Sequence, residues 1–185
     1  VIACHIYIKN IGYQSDIEYL KNFCQDHDIK FILSEISIQE DTKKNRNQCF
    51  LCSWFRRKQR FKIAEENGCN KIALWHHKDD ALETLLMNQI YQGTFSTMPP
   101  KLVMKNYNVT IIRPLILLRE QEIIELSNEH NYKKQVKNCP YEKESKRDEI
   151  KVLIKTLEKM NPNVTSSIYN SMTNIQSEYL PNKIE

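Results

Sequence analysis

Short β-branched runs alternate with stretches of helical period along most of this chain, and no other feature constrains the fold as much. Residues 1–8 read as a strand, as do residues 30–38, 71–75 and 109–112, the last ended by Arg113-Pro114. Between them lie helical segments. The first opens on Ser15-Asp16-Ile17-Glu18, a Ser-x-x-Glu capping box, and runs to about Asp26. The second runs from Cys49 to Asn67 and is closed by Gly68. The third covers Asp79 to Tyr91, followed by Gly93, and a fourth covers Arg119 to His130. Four such alternations predict an α/β fold, a Rossmann-like parallel sheet with crossover helices. Residues 143–180 carry no strand signal and predict a helical C-terminal tail broken at Asn161-Pro162. The expected division is an α/β domain over residues 1–140 and a helical segment over 141–185 packed on it.

The 185 residues, 41% hydrophobic and 27% charged, suit one globular domain and exclude long disorder. No apolar run approaches the roughly 20 residues a membrane helix needs, and no signal peptide opens the chain, so a cytoplasmic protein is expected. Only Gly12, Gly68 and Gly93 are glycines, so no Gly-rich phosphate loop lies within the chain. The sequence starts in mid-strand without an initiator Met, which reads as a fragment trimmed at its N-terminus.

The net charge of +4 is concentrated in one window. Residues 41–62 hold Lys43, Lys44, Arg46, Arg56, Arg57, Lys58, Arg60 and Lys62 against Asp41 alone, while residues 63–185 balance. Clustering of this kind is the footprint of a polyanion partner. It also fits a solvated helix face. Trp54, Phe55 and Phe61 interleave with the charges, where they could stack on unpaired bases or form the buried stripe of the helix.

Three constellations carry chemistry. Six cysteines without a secretory context point away from a disulfide framework. Cys4, Cys24 and Cys69 fit packed positions, whereas Cys49-Phe50-Leu51-Cys52 is a C-x-x-C opening a helix, where the dipole and nearby cations favour thiolates. Cys139 follows in a loop. The spacing alone leaves zinc, an iron–sulfur cluster, redox exchange and an inert packed pair all open. The second constellation, His76-His77-Lys78-Asp79-Asp80 with Glu83, lies just past the third strand, where parallel sheets keep their ligands. Asp80 and Glu83 share one face of the first helical turns, suited to Mg²⁺ on a nucleotide or to complementing the helix dipole. The third, Met98-Pro99-Pro100-Lys101, is a rigid loop whose lysine could contact phosphate.

Taken together, these residues resemble the tRNA 2-thiocytidine synthetase (TtcA) family of PP-loop ATP pyrophosphatases. The matching segments are Cys49-x-x-Cys52-Ser53 with Arg56-Arg57, and Ile72-Ala73-Leu74 leading into His76-His77-Lys78-Asp79-Asp80. Glu83-Thr84-Leu85, Asn88, Tyr91-Gln92-Gly93, Met98-Pro99-Pro100-Lys101 and Ile112-Arg113-Pro114-Leu115 follow in order. Cys139 falls where the family has its third cluster cysteine, and Ser171-Met172-Thr173-Asn174-Ile175 looks like its tail.

The resemblance implies ATP-dependent tRNA thiolation. Cytidine C2 would be activated by adenylation of its oxygen, and AMP then displaced by sulfur delivered through a [4Fe–4S] cluster. Cys49, Cys52 and Cys139 would ligate the cluster, with Cys139 also catalytic. Asp79 and Asp80 would sit at the reacting nucleotide, and His76, His77, Asp80 and Glu83 would bind ATP and Mg²⁺. Arg56, Arg57, Lys58 and Lys101 would meet tRNA phosphates. A sulfur donor such as a cysteine desulfurase and a homodimer are further implied partners.

This chain departs from the family in three ways. The phosphate loop is missing, so ATP is expected to bind poorly to the chain as given. Trp75 stands for a glycine and narrows the nucleotide site. A second C-x-x-C is reduced to Cys139-Pro140, which suggests a divergent subgroup. The alternatives are another PP-loop tRNA-modifying enzyme, such as a lysidine former, and a non-catalytic metal-binding RNA module.

Overall fold

The structure, a computed structural model, describes residues 1–10, 15–38, 48–135 and 146–181. In chain order its strands are β1 (Ile2–Ile8), β2 (Lys30–Ile36), β3 (Lys71–Ala73), β4 (Lys101–Val103) and β5 (Thr110–Ile112). Its helices are α1 (Ile17–Asp26), α2 (Gln48–Glu66), α3 (Lys78–Gln92), α4 (Glu120–Glu129), α5 (Lys146–Met160) and α6 (Val164–Ser171). A short 3₁₀ turn, Ser177–Tyr179, follows. The residues form two units. One comprises Val1–Leu74, Lys101–Ile112 and Ser127–Lys143, the other Trp75–Pro100, Arg113–Leu126 and Glu144–Glu185.

In the first unit the β-branched and aromatic residues of β1 suit a pleated strand, which pairs in parallel with β2 from Ile2↔Lys30 to Ile8↔Ile36. α1 supplies the crossover that a parallel pair needs. Its N-cap is Asp16 rather than the expected Ser15, because the aspartate carboxylate reaches the Tyr19 N–H at 3.0 Å. Past the strand ends the side chain of Asn10 extends the ladder. Its Nδ2 donates to the Ile38 carbonyl at 2.7 Å, and its Oδ1 accepts from the Ile38 N–H at 3.0 Å.

The expected α/β architecture with parallel strand pairs is present, and its strands lie in two ladders. β1 pairs with β2, while β3, β5 and β4 form a second sheet in that order. β3 and β5 run parallel, but β4 is antiparallel to β5, with Lys101 opposite Ile112. β4 escapes pattern reading because it is three residues long, follows two prolines and is exposed along its length. Helical periodicity was legible in α2, whose inner face serves both ladders. Leu51, Cys52 and Phe55 pack on Ile8 and Ile38. Phe61 and Ala64 pack with Val109 and Ile111, joined by Ile72, Leu74 and Met104.

The second unit is built on α3. Leu82 packs with Ile150 and Ile154 of α5, and Leu86, Met87, Ile168 and Tyr169 close around them. The tail breaks where proline predicts, α5 ending at Met160 and α6 starting at Val164. Among the described residues no helix is long and apolar enough to cross a membrane.

Gly93 ends α3 in the left-handed region at φ +61, its N–H donating to the Asn88 carbonyl. No atom lies within 4 Å of a Cβ built there, so an alanine meets only the backbone penalty. Gly93→Ala is expected to lower stability by about 1 kcal/mol, read as a lower urea midpoint at unchanged m.

Candidate functional site

In the first unit, α2 opens on Cys49 and Cys52, three residues and nearly one turn apart. Cys49 is exposed, and Cys52 is half-buried in the cluster around Ile8 and Ile38. The helix settles the two readings of its aromatics by splitting them. Phe61 is buried and stacks on Tyr107 at 4.4 Å, and Phe55 packs inward. Trp54 stays 46% exposed, with Lys58 Nζ 5.4 Å from its ring centroid. The cations divide in the same way. Arg57, Lys58 and Lys62 are exposed, whereas Arg56 and Arg60 lie half-buried. The latter two line a cleft of about 120 Å³ with Cys4, His5 and Ile6 of β1. Burial pushes the His5 pKa down, with Arg56 adding to the effect, and His5 Nε2 accepts or donates no hydrogen bond among the described residues. Of the residues expected to meet RNA, Arg57, Lys58 and Lys101 therefore face solvent, and Arg56 turns towards β1.

The segment approaching Cys139 is anchored in this same unit. The Lys133 N–H donates to the Tyr19 hydroxyl at 3.0 Å, the Asp16 N–H donates to Gln135 Oε1 at 3.0 Å, and Lys133 Nζ pairs with the Asp16 carboxylate. Cys139 itself lies outside the described residues.

The second unit holds the His-Asp constellation. His77 is the N-cap of α3. Its Nδ1 accepts from the Asp80 N–H at 3.4 Å, and Asp80 Oδ2 accepts from the His77 N–H at 3.0 Å. This is a capping box with histidine in the place that Ser or Thr usually takes. Asp79 is occupied at both oxygens: Oδ1 accepts from Arg119 Nε at 2.9 Å and Oδ2 from the Glu120 N–H at 2.7 Å. Arg119 also donates to Thr165 Oγ1 at 2.6 Å and to Glu158 Oε1 at 2.9 Å. His76 is fixed from the strand side by buried Arg113, whose Nε donates to His76 Nδ1 at 3.2 Å. The same guanidinium donates to the Pro99 carbonyl at 2.6 Å.

Asp80 and Glu83 do share a face, since Arg147 lies 3.4 Å from each, and Lys151 Nζ sits 3.8 Å from Glu83. The face expected to take Mg²⁺ thus holds a guanidinium and an ammonium of the protein, and it does not fit a divalent cation. Glu83 is 2% exposed, and its Oε2 accepts no hydrogen bond among the described residues. Burial pushes its carboxyl up to about 7, with Asp80 and Glu120 adding and Lys151 and Arg147 opposing.

Sequence reading found His76, His77, Asp79, Asp80 and Glu83 but missed Arg113, Arg119 and Arg147, which organise them. Arg113 stood in a quoted motif. For the other two no local signal exists, because their partners are 39 to 67 residues away.

The PP-loop domain family matches residues 2–155. A tRNA-cytidine(32) 2-sulfurtransferase of Geobacter metallireducens is 34% identical over 173 residues, 91% of this chain and 67% of that protein. The chain belongs to the PP-loop family, in its tRNA 2-sulfurtransferase branch. That branch is a family of enzymes. The corresponding protein of Citrifermentans bemidjiense is 32% identical over 99% of this chain and 73% of its own length. For one from Francisella philomiragia subsp. philomiragia the figures are 35%, 88% and 64%. The chain thus spans about two thirds of these relatives. The fold is shared with the U34-tRNA thiolase NcsA from Methanococcus maripaludis, solved with its [4Fe-4S] cluster. The TM-score is 0.69 at 23% identity, covering 100% of this chain and 64% of that one.

The Glu83 environment makes the stability of this PP-loop protein pH-dependent with a definite sign. Its folded-state pKa is raised, so the contribution is fully present below about pH 4.5 and is lost as pH rises through about 7. Between those limits Glu83→Gln should gain up to about 3 kcal/mol relative to the parent. Urea denaturation across that range checks it, and a constant difference between the two proteins would contradict it.

Proposed function

We propose that the protein is a tRNA sulfurtransferase that replaces the C2 oxygen of a cytidine by sulfur, using ATP to activate that oxygen. The observation that carries this reading is the Cys49/Cys52 pair on the opening turns of a helix whose outer face bears Arg57, Lys58 and Lys62. Two thiols there suit an iron–sulfur ligand set, because cysteines three residues apart on a helix present their sulfurs on neighbouring turns, within reach of one cluster. Cys139 is the third proposed ligand. When bound, a [4Fe–4S] cluster on three cysteines would offer an open iron to carry sulfur.

The residues of the chain contribute position and charge. Cys52 is held by packing on Ile8 and Ile38, which fixes the start of α2. Arg57, Lys58 and Lys101 would neutralise tRNA phosphates. In the second unit Arg113 orients His76, and Asp80 orients His77. We assign these two histidines to the ATP side of the reaction. Asp79 acts there as a positioning residue, since both its oxygens already hold Arg119 and the start of α4. Mg²⁺ has no place on the Asp80/Glu83 face, because Arg147 and Lys151 occupy the carboxylates it would need. A persulfide-forming cysteine desulfurase is the proposed sulfur source.

Anaerobic purification of the intact protein with iron, zinc and acid-labile sulfide analysis tests the reading. About four irons and four sulfides, lost in both Cys49→Ala and Cys139→Ala together with tRNA thiolation, are expected. Stoichiometric zinc without sulfide would instead indicate a structural metal site.

A further inference from the structure

The inner cations of α2 face a cleft that the reading above does not use. Arg56 and Arg60 stand one turn apart on the helix and line about 120 Å³ of space together with Cys4, His5 and Ile6 of β1. Arg56 has contacts of its own, so the groups that define the cleft are Arg60 and His5. Among the described residues Arg60 makes no hydrogen bond and no ion pair. Burial pushes its pKa down, the sulfurs of Cys4 and Cys52 oppose this, and Arg56 and Arg57 add to it. His5 Nε2 is buried and has no hydrogen-bond partner among the described residues. Ile6, buried, supplies an apolar wall.

The neighbouring strands offer no counter-charge. β1 carries no acidic residue, and the one carboxylate of β2, Glu35, is paired with Lys9 at 2.7 Å. A guanidinium partly withdrawn from water without an anion is unfavourable, and a buried imidazole nitrogen without a partner adds to the cost. An anion in the cleft relieves both.

Size and donor geometry narrow the anion. The volume lies below the roughly 300 Å³ at which clefts for drug-sized ligands begin, so a compact group enters and any base or sugar stays outside. The donors come from two directions, one from the helix and one from the strand. A tetrahedral oxyanion presents oxygens to both, whereas a carboxylate holds its two in one plane. A phosphodiester inside an RNA strand has chain on both sides and does not fit a half-buried cleft, but a terminal phosphate does.

We propose that this cleft binds a terminal or free phosphate group, with the Arg60 guanidinium and the His5 Nε2–H as its donors and Arg56 along its wall. The site is separate from the cysteine pair and from the His76–His77 turn. The proposal does not rest on the tRNA reading, and its failure leaves that reading standing.

The test titrates the protein with inorganic phosphate, against sodium chloride of matched ionic strength, and follows the His5 imidazole resonances and the urea midpoint. Phosphate should shift the resonances saturably and raise the midpoint, and chloride should do neither. Arg60→Gln should weaken phosphate binding at least about ten-fold. Without phosphate its midpoint should equal or exceed that of the parent, because the unpaired charge is gone. That result separates lost binding from lost folding. His5→Gln, which keeps a donor, should bind phosphate more tightly than His5→Leu. AMP then distinguishes the sources. Displacement of phosphate by AMP assigns the cleft to the terminal phosphate of a nucleotide, and failure of AMP to compete assigns it to the free anion. Equal His5 shifts with phosphate and chloride, or phosphate binding unchanged in Arg60→Gln, overturns the site. So does a lower phosphate-free midpoint in Arg60→Gln, which would make Arg60 a structural residue.

Discussion

The second unit depends on the carboxylate of Asp79. Standing in the first turn of α3, it accepts from the side chain of Arg119 and from the backbone N–H of Glu120. Arg119 carries the connection onwards to Glu158 on α5 and Thr165 on α6. Burial works against the guanidinium charge, but Glu158 and Asp79 more than offset it, so its pKa moves up. Removing one member of such a network leaves the others partly desolvated and unpaired, which costs more than the bond itself. The geometry of His76 and His77 is secured beside this anchor by two further contacts, Arg113 on one ring and Asp80 on the other.

The two units use positive charge in opposite ways. In the second, Arg113, Arg119 and Arg147 are spent on the protein's own carbonyls, carboxylates and histidine. In the first, Lys62 pairs with Glu66 one turn on at 3.7 Å, but Arg57 and Lys58 have no carboxylate within four residues along α2. An inward cation organises a site, whereas an outward one attracts an anion through solvent. The net charge of +4 is thus a statement about one helix, and the remainder of the chain is close to internal balance.

What was legible in the sequence was what neighbours in the chain decide. The parallel pairs, the extent of α2, the glycine at the end of α3 and the shared face of Asp80 and Glu83 all follow from short-range period and capping. β4 was not legible, since three exposed residues after two prolines carry no alternation, and β5 alone recruits them. Histidine as the cap of α3 was missed because its ring is seldom used so, although the Asp80 three residues on was in plain view. The split between Trp54 and Phe61 was undecidable locally, because the strands beneath α2 set which face turns inward. The arginine contacts to Asp79 and Asp80 span 40 and 67 residues, and sequence pattern has no purchase at that range.

Cys52 has two allegiances. Its sulfur belongs to the hydrophobic cluster of Ile8 and Ile38, while its neighbour Cys49 stands in solvent. A ligand of the proposed pair would be gripped at one exposed sulfur, Cys49, and at another, Cys52, that cannot shift without disturbing the β1–β2 core. Occupancy and folding would then be linked, as they are wherever a ligand is also a packing residue. The core would sense the state of such a site as a change in its own stability, and the site would inherit the rigidity of the core.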